Sequence, residues 1–132
     1  MSHFEERMEA DLKIIRGRLW KIGEDVNAAL RNAKKVMILR DSELAYQTVL
    51  NDYPINRDSR ECDRFCHTFI ARHLPGAGPL REMAATARVN VALERIGDYA
   101  VTMSREALEI TTTISTQLTS DIDAMFDESI SI

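Results

Sequence analysis

The chain has 132 residues, 45% of them hydrophobic and 29% charged, so it is one domain with enough apolar surface to fold. Two cysteines cannot build a disulfide scaffold, and no apolar run reaches the roughly 20 residues that span a bilayer. The net charge is −4; all four acids beyond residue 113 (Asp121, Asp123, Asp127, Glu128) lack basic neighbours in that segment, which leaves residues 1–113 neutral and argues against a nucleic-acid partner. The N-terminal Met1-Ser2-His3-Phe4 has no basic start or apolar stretch of a signal peptide, so a cytoplasmic location, peripheral to the membrane at most, is expected.

The first predicted element is a helix from about Phe4 to Leu39. Phe4, Met8, Leu12, Ile15, Leu19, Ile22, Val26, Leu30, Ala33 and Met37 recur in steps of three or four, which makes one apolar stripe. Ser2 and Glu5 have the spacing of a capping box. Gly17 and Gly23 each cost about 1 kcal/mol against alanine in a helix interior. Gly17 reads as a tolerated surface glycine, and close approach of a neighbouring helix would justify Gly23.

Asp41 or Ser42 can cap a second helix reaching His73. Its apolar face holds Ile55, Cys62, Phe65, Cys66, Phe69 and Ile70. Pro54 predicts a kink or a short break near Asn51–Tyr53. The Pro75-Gly76-Ala77-Gly78-Pro79 run is the strongest break in the chain, and a third helix is expected from Pro79 or Leu80. Its inner stripe reads Ala85, Val89, Ala92, Ile96, Tyr99, Met103, Ala107 and Ile110, ending at Thr111–Thr113. Leu118, Ile122, Met125 and Phe126 suggest a short fourth helix.

Three long helices with short connections and one apolar stripe each predict an all-α fold, an antiparallel three-helix bundle over residues 3–113. Residues 114–132 are an acidic helical tail, packed on the bundle or paired with another chain. An apolar tail stripe left exposed by a monomer points to a homodimer.

Chemistry-bearing residues are few. Cys62 and Cys66 lie one helical turn apart on an apolar face and read as buried small hydrophobes, not as a zinc site. His67 and His73 read as surface or helix-end residues. The sequence contains no nucleophile elbow, phosphate-binding glycine loop or H-E-x-x-H, so no enzyme is expected. Gly76 and Gly78 read as a plain turn before a helix. Glu94 and Asp98, at i and i+4, are about 40° apart on the helix and, with Ile96 at the centre of the inner stripe, would lie on the exposed face. Such a carboxylate pair repels itself unless a cation binds it; on spacing alone a solvated face is preferred. Arg81, Arg88 and Arg95 also read as a solvated stripe.

Three segments resemble the PhoU family of phosphate-uptake regulators. Ile22-Gly23-Glu24-Asp25-Val26 resembles that family's M-G-x-x-V, and Pro75 with Leu80-Arg81-Glu82-Met83 resembles its P-x-A-x-D-L-R turn, with Pro79 in place of the aspartate. Leu93-Glu94-Arg95-Ile96-Gly97-Asp98-Tyr99-Ala100 matches its most specific motif, L-E-R-I-G-D-x-A. The resemblance covers about residues 4–110. It implies a three-helix repeat, usually present twice in a chain, with the tail as the start of a truncated second repeat or an extension of its own. It implies metal ions (iron, manganese, zinc or magnesium) held by E/D-x-x-x-D motifs, which Glu94 and Asp98 match. Glu24, Asp25, Asp52 and Asp58 are further candidate ligands by resemblance and composition. It also implies repression of the phosphate-starvation response through contacts with a phosphate ABC transporter and a sensor histidine kinase. The alternative is a metal-free helical interaction module that regulates another transporter or a transcription factor.

Overall fold

A computed structural model describes residues 1–131. The chain is 90% helical, and among the described residues there is no strand. Four helices follow one another: α1 (His3–Leu39), α2 (Ser42–His73), α3 (Ala77–Glu109) and α4 (Thr116–Ser131). Ile132, the last residue of the expected tail, lies outside the described residues.

The helix ends follow local chemistry. Ser2 and Glu5 form the expected capping box, and the Asp41 carboxylate accepts the Leu44 N–H at 3.1 Å. α1 and α2 each close on a left-handed residue, Arg40 at φ 56° and Leu74 at φ 43°. Neither is glycine, so each turn carries backbone strain, which at Arg40 is offset by its guanidinium donating to the Ala107 carbonyl at 2.7 Å. α3 starts at Ala77, earlier than Pro79 or Leu80, because a proline within the first turn gives up only an N–H that has no intrahelical partner. α2 runs unbroken through Pro54, so the break expected at Asn51–Tyr53 does not form. Pro54 is exposed, while Thr48 and Ile55 on either side of it are buried and hold the helix to the bundle.

Cross-helix pairs fix the topology. Arg18 meets Glu61 and Lys21 meets Asp58, so α1 and α2 are antiparallel. Asn90 donates to the Ser59 carbonyl at 2.8 Å and Gly97 faces Asp52 and Ile55, so α2 and α3 are antiparallel as well. α4 returns along α1, where Lys34 pairs with Asp123 and Asp127 at 3.0 Å and Phe126 is 8% exposed. The tail is therefore packed on its own bundle, although Leu118 and Met125 remain exposed.

The central core gathers Ile22, Val26, Leu30, Ala33, Ile55, Cys62, Ala100 and Phe126. A second cluster, nearer the α2–α3 connection, holds Leu12, Ile15, Cys66, Phe69 and Met83. Cys62 and Cys66 are buried free thiols, as expected of small hydrophobes. His73 is at the helix end but is buried, not a surface residue: its Nε2 lies 2.7 Å from Asp11 Oδ2, and its ring packs against Phe4 and Phe69. The α1 stripe is inward except at Phe4, which is exposed.

The stripe of α3 differs from the expected one. Val89 is 46% and Tyr99 56% exposed, and Ala85 and Ala92 face solvent. The inward line is Met83, Thr86, Asn90, Gly97, Ala100, Val101, Ser104 and Ala107. Moving its centre from Ile96 to Gly97 turns the helix by about 100°. Small residues win the interior because α3 lies close against two neighbours, and the larger apolar residues are left on its flanks.

A candidate acidic site between the second and third helices

Gly97 marks the level where three helices converge. A β-carbon there would stand 3.5 Å from Asp52 Oδ1, 3.7 Å from Ile55 Cγ2 and 3.8 Å from Val26 Cγ2, which is ordinary contact but leaves no space beyond it. Rotation of α3 about this line brings Glu94 and Asp98 off the far surface and onto the flanks of the seam. Glu94 is half-buried and Asp98 exposed, so the expectation of a pair directly opposite the core is corrected by the shifted stripe.

Asp52 on α2 faces this seam. Its Oδ2 accepts from Asn56 Nδ2 at 3.0 Å. Its Oδ1 is buried without a donor, and so is Asn56 Oδ1. Burial raises the Asp52 carboxyl above the usual carboxylate range, and the charge of Asp98 raises it further; Asn56 and Arg105 act in the opposite sense. Asp52 and Asp98 therefore sense one another across α2 and α3. Two orphaned acceptor oxygens beside a second carboxylate form an oxygen-rich edge of the kind that hard cations use.

The other candidate ligands lie elsewhere. Asp25 and Asp58 share Lys21 on the α1–α2 seam, at 2.7 and 3.2 Å from its Nζ. Both hydrogen bonds raise the Lys21 ammonium above its ordinary range, so this pair already has its cation. Glu24 accepts from Trp20 Nε1 at 3.1 Å on the α1–α3 side. Among the described residues, no three His, Cys, Asp or Glu side chains converge closely enough to hold a metal ion. The structure thus brings Asp52 and Asp98 to one seam with Glu94 on the same helix, and leaves Glu24, Asp25 and Asp58 apart. Asn56 is the participant that sequence reasoning missed; its i+4 spacing from Asp52 was the available signal.

Three long helices in one bundle, with a fourth packed on α1, define an all-α helical-bundle protein. No helix among the described residues is long and apolar enough to cross a membrane. A family model described as PhoU domain matches residues 19–107, and the chain belongs to that family. It is 32% identical to the phosphate-specific transport system accessory protein PhoU homolog of Pseudomonas putida, over 82% of this chain and 42% of that protein. It is 35% identical to the phosphate-specific transport system accessory protein PhoU of Serratia marcescens, over 82% and 44%. With the PhoU of Escherichia coli K12 the identity is 33%, over 82% and 45%. The chain therefore spans less than half the length of these relatives. No solved structure matches it significantly.

Proposed function

We propose that this chain is a non-enzymatic regulator of phosphate uptake and phosphate-starvation signalling. It would act in the cytoplasm as a homodimer, by contact with a phosphate ABC transporter and a sensor histidine kinase. The observation that carries this reading is the match to the PhoU domain across residues 19–107, together with the accessory role in the names of the relatives. The test is phosphate uptake in cells deleted for their own PhoU. Expression of this chain restores repression of uptake and captures the transporter's ATPase subunit on crosslinking; unchanged uptake with no crosslink overturns the reading.

The same reading gives the acidic seam a carboxylate-bound cation: iron, manganese, zinc or magnesium. Glu94 and Asp98 would hold one edge of it, and Asp52, whose Oδ1 has no donor, lies across the same seam without closing a three-carboxylate cluster as the side chains stand. Water or a second copy would complete the shell, since hard cations take about six oxygens. Metal content of purified protein is the measurement, with Glu94→Gln plus Asp98→Asn as the variant. Metal in the wild type and its loss from the variant support the site. A metal-free wild type, or a variant that keeps the metal, overturns it. The pairing of Asp25 and Asp58 with Lys21 favours the second reading, a metal-free interaction module, for that part of the acidic surface.

A further inference from the structure

Cys62 and Cys66 take no part in the acidic seam. They lie one turn apart on the inward face of α2, 0% and 3% exposed, and both are free thiols. Cys62 belongs to the central core and Cys66 to the second cluster, so the pair spans the junction between the two. The two side chains meet. The Cys66 thiol donates to the Cys62 sulfur, which holds Cys62 below the ordinary thiol range and, with burial, pushes Cys66 above it. Arg18, whose guanidinium lies 4.3 Å from the centre of the Phe65 ring, adds a positive charge that favours the Cys62 thiolate, while Asp63 opposes it. Met83 of α3 is buried in the same cluster as Cys66, so the core around the pair holds a third sulfur.

Two uses of such a pair are closed. On an unbroken helix, positions i and i+4 hold their β-carbons about 5–6 Å apart, whereas a disulfide needs about 3.5–4.5 Å. α2 is continuous here, so a disulfide would require the helix to unwind. Structural zinc takes four ligands, and among the described residues no third Cys, His, Asp or Glu converges on the pair. His67, next in sequence, is exposed, and its Nδ1 lies 2.8 Å from the Asp63 carbonyl oxygen. What remains is an ion that sulfur alone satisfies. Thiolate and thioether donors select Cu(I), which two thiolates in line can hold without water or a further charged ligand. A metal between the sulfurs also bridges a gap too wide for a direct S–S bond.

We propose that Cys62 and Cys66 form a buried soft-metal site that takes one Cu(I) between their two thiolates. Binding displaces two thiol protons, forms two Cu–S bonds and changes no oxidation state. The complex carries one negative charge, the sign that Arg18 favours at Cys62. The site is separate from the acidic seam, whose carboxylates suit hard cations. The experiment is an anaerobic titration of Cu(I) against the chromophoric chelator bicinchoninate. It is run on the folded full chain and on chain refolded from urea with the ion present, which covers slow entry into a closed core. The expected result is one Cu(I) per chain, with an X-ray absorption spectrum showing a first shell of sulfur only. Cys62→Ala and Cys66→Ala should each weaken binding by about 100-fold or more, beyond the roughly 10–100-fold that loss of an outer-shell partner costs. His67→Ala should leave binding unchanged. Circular dichroism checks that each variant retains its helices. If neither sample takes copper from the chelator, the site is overturned. It is equally overturned by copper that both alanine variants retain, by loss of copper in His67→Ala, or by nitrogen or oxygen in the first shell.

Discussion

The two sides of α3 are built on opposite rules. Toward α2 the helix presents Asn90, Gly97 and Ser104, and the seam is close and polar. Toward the outer groove it presents Val89, Leu93 and Ile96, and that side is apolar and open. One helix therefore spends its smallest residues where packing is closest and its larger ones where packing is incomplete. Size, more than hydrophobicity, decides which face of α3 is inside.

The largest test of this contrast is Gly97→Leu, which drives a branched side chain into Asp52, Ile55 and Val26. It should lower stability by about 2–3 kcal/mol in a urea melt, as overpacking does. Gly97→Ala adds only a β-carbon at contact distance, so helix propensity should dominate and the melt should shift upward by up to about 1 kcal/mol. An equal loss for both would show that strain, not volume, rules the seam.

Asn90→Ala comes next, with an expected loss of about 1–2 kcal/mol, because it deletes a buried hydrogen bond to the Ser59 carbonyl and empties part of a packed position. Val89→Ala, on the open side, should stay within about 0.5 kcal/mol. If Val89→Ala cost more than Asn90→Ala, the contrast between the two sides would fail.

Charge gives the subtlest test, and the sign differs between two aspartates. Asp11 is held below its ordinary value of 3.8, first by the hydrogen bond with His73 and then by Arg72. Its contribution is present above that value and is lost as pH falls through the folded pKa. Asp11→Asn should therefore destabilise at neutral pH and have little effect in strong acid. Asp52 is raised above 3.8, chiefly by burial, so its ionisation opposes folding as pH rises through that range. Asp52→Asn should stabilise metal-free protein at neutral pH, and the gain should vanish in acid. Denaturant melts at several pH values read both.

The helices of this fold were legible in the sequence because Leu12, Ile15, Ile22, Val26 and Leu30 mark α1 by period alone, and Ser2, Glu5 and Asp41 cap as their types predict. Pro54 makes no break in α2 because a helix held on both sides by buried residues tolerates a lost hydrogen bond on its wet face. The rotation of α3 was hidden for a different reason. Apolar periodicity ranks Ile96 and Tyr99 above Gly97 and Ser104, whereas close helix contact selects the reverse. Glu94 and Asp98 were singled out by their motif; their neighbours Asp52 and Asn56 depend on how two helices align, and spacing along one helix does not encode that. His73 carried no signal of its partner, since Asp11 is distant in sequence and close only through the antiparallel pairing of α1 with α2.

α4 touches the bundle through α1 alone, with one buried residue, Phe126, and one lysine that holds two of its acids. The three long helices share a continuous interior, so their amides exchange with solvent only when the whole unit opens. α4 has no such obligation and forms a separate cooperative unit of lower stability. Its amides should exchange through a partial opening insensitive to dilute denaturant, far ahead of those around Ile22 and Ala100. Such an opening would uncover the part of α1 beside Lys34 while the three long helices stay folded, a second, sparsely populated form that hydrogen exchange would detect.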